Sequence, residues 1–251
     1  MTRKSKRYMT VVENDIHAIH EFNDTKELGL KDLKTINPIT DPQRQMFESY
    51  FSGNFILANG SAGTGKSFIA IYLALIDLLS KNSKQNEIII VRSAVPSREI
   101  GFLPGTEDEK LEPYEIPYRD IFAELFGKLT AYDKMKKRHK VKFIPTSFVR
   151  GLTWDNAVII VDEIQNMTFY EINSVVTRLG VNAKLIIIGD QIQSDLYRRN
   201  NDQSGMQDFL KVVRLMDEID HITFTSNDIV RCAFVKAWIC ALEESGVVPR
   251  N

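Results

Sequence analysis

The sequence predicts an α/β fold, a mostly parallel sheet with helices on both of its faces. Three observations carry that expectation. Short β-branched runs recur along the chain: FILA at Phe55, EIIIVR at Glu87, AVIIV at Ala157 and KLIII at Lys184. They are apolar throughout rather than alternating, as strands covered on both faces are. Helical segments separate several of them, and strand–helix alternation implies parallel pairing through right-handed crossovers.

Taken in order, Met1 to about Thr35 is polar, mixed in charge and weakly periodic. It is expected to be an N-terminal arm with one short element near Val11–Phe22, and residues 36–251 to form the folded domain. Asp41–Phe51 (DPQRQMFESYF) predicts a helix, with Asp41 as cap and Pro42 in its first turn. Phe55–Ala58 is a buried strand. Ser67–Ser80 is apolar on most sides, so this helix must be well covered. Strands follow at Glu87–Arg92, Lys140–Ile144, Ala157–Val161, Lys184–Ile188 and His221–Thr225, and helices at Tyr114–Thr130, Thr168–Leu179 and Gly205–Glu218.

Between the first strand and its helix stands Gly60-Ser61-Ala62-Gly63-Thr64-Gly65-Lys66-Ser67, which fits G-x-x-x-x-G-K-[ST] at every fixed position. Each fixed residue has a physical task. The glycines let the backbone wrap so that successive N–H groups point inward at phosphate oxygens. The helix that follows presents unpaired N–H groups, Phe68 included, and partial positive charge to the same anion. Lys66 would reach the β- and γ-phosphates of a nucleotide, and the Ser67 hydroxyl would hold Mg²⁺. With average residue usage such a match arises by accident in about one chain in a hundred of this length. Here it also follows a strand and opens a helix, as the mechanism requires.

A phosphate cradle alone cleaves nothing. The run AVIIV ends in Asp162-Glu163, two carboxylates where open α/β sheets place their ligands. Asp162 would serve the metal, and Glu163 would orient and deprotonate an attacking water. KLIIIGD delivers Gly189-Asp190 from a further strand, with Gln193 close behind to contact the γ-phosphate or the water.

These stretches resemble a known family, the PhoH-like, phosphate-starvation-inducible ATPases, whose core is similar to the first RecA-like domain of superfamily-one helicases. The resemblance runs from about Pro38 to Leu242. It rests on GSAGTGKS, VRSAVPSREIGFLPGTEDEKLEPY, FVRGLTWDNAVIIVDEIQNMT, TRLG, GDQIQSDL and DQSGM. It implies a P-loop NTPase of RecA-like fold that hydrolyses ATP with Mg²⁺. Gln43 matches the glutamine expected to read adenine. Gly60 to Phe68 match the nucleotide-binding loop, Asp162 and Glu163 the Walker-B pair, and Gln193 the glutamine of the helicase GDxxQ motif. Arg231 (in NDIVRCAFV) and Arg178 (in TRLG) are the candidates for an arginine that stabilises transition-state charge. Cys232 stands where the family commonly has histidine. Arg92 and Arg150 fall in family motifs with no chemistry assigned, and structural ion pairing explains them equally well.

The resemblance also suggests a homo-oligomer, a hexameric ring in which each subunit's arginine completes its neighbour's site, coupled to single-stranded RNA or DNA with a helicase role. Composition neither demands nor forbids this. With 32 basic and 33 acidic residues the net charge is −1, so no global basic field announces nucleic acid. The local basic run Lys134–Lys142 (KMKKRHKVK) and the loop after Ile100 are the candidate contacts. A solvated turn explains the basic run as well, and Glu107, Asp108, Glu109 and Glu112 make the other long loop acidic. An ATP-dependent switch or assembly ATPase with no nucleic-acid partner is the alternative, and a small-molecule kinase a weaker one. The two cysteines, Cys232 and Cys240, fall in what reads as one helix, too far apart for a disulfide, which fits a reducing cytoplasmic setting. No apolar stretch follows MTRKSKRY to make a secretory signal.

Overall fold

The computed structural model describes residues 27–93, 107–190 and 205–245. Six strands among them form one sheet in the order β3-β2-β4-β5-β1-β6. The strands are β1 (Phe55–Gly60), β2 (Glu87–Arg92), β3 (Val141–Pro145), β4 (Ala157–Asp162), β5 (Lys184–Gly189) and β6 (Ile219–Phe224). All five pairings are parallel, with registers such as Ala58 to Ile188 and Val91 to Val161. The predicted strands are all present, and most extend a residue or two beyond their apolar runs.

The helices are α1 (Asp41–Ser52), α2 (Lys66–Leu79), α3 (Glu107–Phe126), α4 (Ala131–Lys137), α5 (Phe169–Val176), α6 (Met206–Val213) and α7 (Ala233–Ser245). Alternate residues of each central strand face opposite layers. Ile56, Ile88, Ile90, Ile160 and Ile186 join a core with α1 to α4, while Leu57, Ile89, Ile159 and Ile187 join one with α5 and α6. The chain moves toward the β3 edge under helices of the first layer. It returns toward the β6 edge under helices of the second, as right-handed crossovers demand.

Several boundaries differ from expectation for identifiable reasons. Thr40, not Asp41, caps α1, its hydroxyl accepting from the Gln43 N–H. α3 starts seven residues before Tyr114 and includes Pro113 and Pro117. Both prolines are solvent-facing, on the side of the helix where a missing ladder bond is cheapest. The acidic stretch containing Glu112 is therefore helix rather than loop, with Glu112 paired to Arg119 at 2.9 Å. The basic run is not a plain turn: α4 supplies its first half, with Tyr132 and Met135 buried one turn apart. Cys232 lies just before α7 and Cys240 within it, both as free thiols.

At the N-terminal side, Leu28 and Leu33 are buried in the first core and the Lys34 N–H bonds the Leu125 carbonyl at 2.9 Å, so the expected arm joins the domain from Glu27 onward. The element expected at Val11–Phe22 lies outside the described residues, as do Gln193 and the loop after Ile100. No helix among the described residues is long and apolar enough to cross a membrane.

Candidate active site at the strand ends

The strand order sets the site. β5 lies between β1, which ends in the glycine loop, and β4, which ends in the acid pair. All three deliver their C-terminal ends to one edge, where α2 begins. Gly60, Gly63 and Gly65 take φ of 133°, 74° and 83°, the left-handed side of conformational space. At Gly60 the constraint is spatial as well, because a Cβ would lie 1.8 Å from the Phe224 carbonyl oxygen. That approach lets the Ser61 N–H bond the same carbonyl at 3.1 Å, tying the loop to β6.

The first helical bond of α2 runs from Ile69 N–H to the Gly65 carbonyl at 2.9 Å. The N–H groups of Lys66, Ser67 and Phe68 thus open the helix without partners in it, which is what an anion needs. Phe68 also packs its ring on the first core. The Lys66 ammonium folds back along the loop, donating to the carbonyls of Gly60 at 2.8 Å and Ser61 at 2.7 Å and to Thr64 Oγ1 at 3.3 Å. Burial pulls its pKa down, against the opposing pull of Asp190, Asp162 and Glu163.

Across the edge, the Ser67 hydroxyl stands 3.2 and 3.3 Å from the two Asp162 oxygens. Asp162 also accepts from the Glu163 N–H at 3.0 Å and from the Tyr118 hydroxyl at 2.9 Å. Glu163 adopts φ 58°, ψ 44°, a turn that ends β4 and starts a short 3-10 helix, Ile164–Asn166. Burial, then the neighbouring Asp162 charge, raises the Glu163 pKa, while the Arg92 guanidinium 4.0 Å away opposes the rise. Gln165, almost fully buried, donates its amide N–H to Glu163 Oε2 and accepts the Asp190 N–H at 2.9 Å. It thereby bridges the ends of β4 and β5.

The structure brings together Gly60 to Ser67, Asp162 and Glu163. Gln43 reaches the loop too, but both ends of its amide are engaged, with the Thr64 carbonyl at 3.0 Å and the Ile39 N–H at 3.0 Å. Arg231 folds over its own chain's loop: a Cβ at Gly63 would lie 3.0 Å from Arg231 Cγ, and the Val230 N–H bonds the Gly63 carbonyl at 3.0 Å. Arg178 lies elsewhere. Its carbonyl accepts the Trp154 N–H just before β4, at the N-terminal end of the strands opposite the glycine loop. The basic run from Lys134 ends at Lys140 and Lys142, where the edge strand β3 begins, on that same opposite end.

Sequence reasoning missed three side chains at this edge. Tyr118 comes from α3, four residues past the last residue of the LEPY stretch, and lies in none of the motifs that carry the resemblance. Gln165 sits two positions past the acid pair, within EIQN. Glu243 of α7 accepts from the Ser61 hydroxyl at 2.7 Å and carries no motif at all. Arg92 belongs to the site by its approach to Glu163, whereas Arg150 stacks on the Tyr170 ring at 5.3 Å.

The family profile described as PhoH-like protein matches residues 35–243. The chain belongs to the PhoH-like protein family. It is 35% identical over 204 residues to a PhoH-like protein of Synechocystis, covering 81% of this chain and 61% of that one. It is 33% identical over 212 residues to one of Bacillus subtilis, covering 84% and 65%. Against protein PhoH of Escherichia coli K12 it is 30% identical over 239 residues, covering 93% and 66%. The chain thus spans about three-fifths to two-thirds of these PhoH-like relatives. Solved structures with a similar fold include the large terminase of a thermophilic bacteriophage in complex with ADP, with TM-score 0.45, 13% identity and coverage of 80% and 49%. The Pif1 helicase of Candida albicans is another, with TM-score 0.42, 18% identity and coverage of 85% and 46%. Family membership and the P-loop architecture together support nucleotide binding.

Proposed function

We propose that this PhoH-like domain is an ATPase whose reaction centre is the edge formed by β1, β4 and β5. The observation that carries the reading is the meeting of the Ser67 hydroxyl and the Asp162 carboxylate at 3.2 Å, with Glu163 next in the chain. A hydroxyl and a carboxylate are hard oxygen donors, and with two phosphate oxygens and water they fit Mg²⁺. Magnesium held there would neutralise charge on the β- and γ-phosphates.

The remaining tasks fall to the chain itself. The N–H groups of Gly63 to Phe68 would bind the phosphate oxygens, and Lys66 would exchange its loop carbonyls for the γ-phosphate. Glu163, held by Gln165, would accept the proton of the attacking water. Gln193, which follows β5, is proposed to contact that water or the γ-phosphate. Gln43 is proposed to read adenine, which requires its amide to leave Ile39 or Thr64. Arg231 is proposed to bring positive charge to the γ-phosphate from within the same chain, a reading its contact with Gly63 supports.

The finer reading, a homo-oligomer in a hexameric ring coupled to single-stranded RNA or DNA in the cytoplasm, rests on the resemblance and on one placement. Arg178 meets a nucleotide if a neighbouring subunit brings its loop to the far end of the sheet. The aromatic side chains Phe234 and Trp238, exposed on α7, favour the second reading, an ATPase acting on protein assemblies.

ATP turnover with and without single-stranded RNA, on protein of determined mass, separates these readings. Glu163→Gln is expected to bind ATP while hydrolysing it at least ~100-fold more slowly, the range a positioned base supplies. Retained turnover removes Glu163 as the base. Mixing Arg178→Ala subunits into wild type should depress turnover out of proportion to their fraction if the ring completes its sites between subunits. A strictly proportional loss sinks that arrangement.

A further inference from the structure

Asp162 is held from two sides. Ser67 faces it from α2, and Tyr118 reaches it from α3, a helix that follows a different strand. The phenol is fully buried, with its ring against Phe143 at 5.9 Å and its oxygen 2.9 Å from Asp162 Oδ2. On its other side lies the positive charge of the Arg92 guanidinium, at the end of β2. A guanidinium only donates and an ionised carboxylate only accepts, while a phenol does both. The Tyr118 hydroxyl has one proton to give, and Asp162 is its acceptor. The direction of the bond from Tyr118 to Asp162 is therefore fixed by the chemistry of its ends.

We propose that Tyr118 is a positioning residue for the metal-site carboxylate, its hydroxyl holding Asp162 by Oδ2 so that the carboxylate keeps facing Ser67. This deepens the ATPase reading and rests on its assignment of Asp162 to the metal. Hydrogen-bond partners of a ligating carboxylate hold it in its binding rotamer, and their loss weakens metal binding by about ten- to a hundredfold.

Tyr118→Phe removes the hydroxyl and keeps the ring. Binding of a fluorescent ATP analogue is measured as Mg²⁺ is titrated, and again in EDTA. The magnesium concentration giving half-maximal enhancement of binding should rise about tenfold in Tyr118→Phe, with binding in EDTA unchanged. Phe143→Leu loosens the same packing without touching the hydroxyl, and should keep the wild-type magnesium response. The proposal is overturned by a wild-type response in Tyr118→Phe, by an equal shift in Phe143→Leu, or by loss of EDTA-phase binding in Tyr118→Phe, which would assign the residue to packing. A wild-type protein indifferent to magnesium overturns the metal reading itself, and this positioning role with it. A magnesium-responsive wild type with an unshifted Tyr118→Phe overturns the positioning role alone.

Discussion

Gln165 shows how one buried amide organises two strand ends. Its oxygen must accept, because its partner is the Asp190 N–H, so its nitrogen must face Glu163. The carboxylate is thereby held as an acceptor beside Asp162, the charge that opposes its ionisation. Gln165→Leu keeps the size and loses both bonds. It should lower kcat by about tenfold or more with little change in ATP affinity, a split that marks an interaction felt in the transition state. It should also cost about 1–3 kcal/mol of stability, because a buried bond between the ends of β4 and β5 is lost. Steady-state kinetics and urea unfolding test the two parts separately. Gly60 makes a harsher prediction. Gly60→Ala would set a Cβ 1.8 Å from the Phe224 oxygen at a φ of 133°, so the loop or β6 must move. A loss above about 4 kcal/mol is expected, read as failure to fold or a collapsed melting temperature. The glycines, Lys66 and the acid pair were legible in the sequence because each is tied to its neighbours by fixed spacing. Tyr118 was not, because 44 residues separate it from Asp162 and only the fold joins them.

Element by element, legibility followed burial. β1, β2, β4 and β5 are covered on both faces, so their apolar runs stood out whatever their flanks. Helices whose pattern was broken by special residues were harder. α3 was read only from Tyr114, its first turns up to Pro113 being missed, and α4 hid behind lysines that mask a two-residue apolar contact. In α4 those lysines have uses of their own: Lys136 pairs with the buried Glu115 at 2.6 Å, which in turn accepts from Tyr132. α5 illustrates a start signal that was read correctly to within a residue. Thr168 and Glu171 form a reciprocal capping box, the Thr168 hydroxyl accepting the Glu171 N–H at 3.3 Å and the Glu171 carboxylate accepting the Thr168 N–H at 2.8 Å. Thr168→Ala should therefore cost about 1 kcal/mol. The loss should be visible in urea unfolding and leave ATP affinity unchanged, since the cap faces Thr146 rather than the glycine loop.

Across the whole molecule, buried tyrosines recur as partners of carboxylates on the first layer of helices. Tyr50 of α1 donates to Asp77 of α2 at 3.0 Å, and Tyr132 of α4 donates to Glu115 of α3 at 2.7 Å. Each pair joins two helices that pack on the same face of the sheet. Burial first, and the partner carboxylate second, push both phenols far above the ordinary tyrosine range. The consequence for stability has a definite sign. The unfolded chain releases these protons near pH 10, while the folded protein retains them. Their contribution is complete below that pH and is lost as pH rises beyond it, because the unfolded state alone gains by ionising. Each such tyrosine adds a slope of up to about 1.4 kcal/mol per pH unit. Lysines titrate in the same window, so the comparison must be between variants. Urea unfolding of wild type and Tyr50→Phe from pH 9 to 11 should show the variant losing stability less steeply, by about that slope. Parallel curves would mean that Tyr50 ionises freely in the folded state and that its bond to Asp77 does not hold α1 to α2.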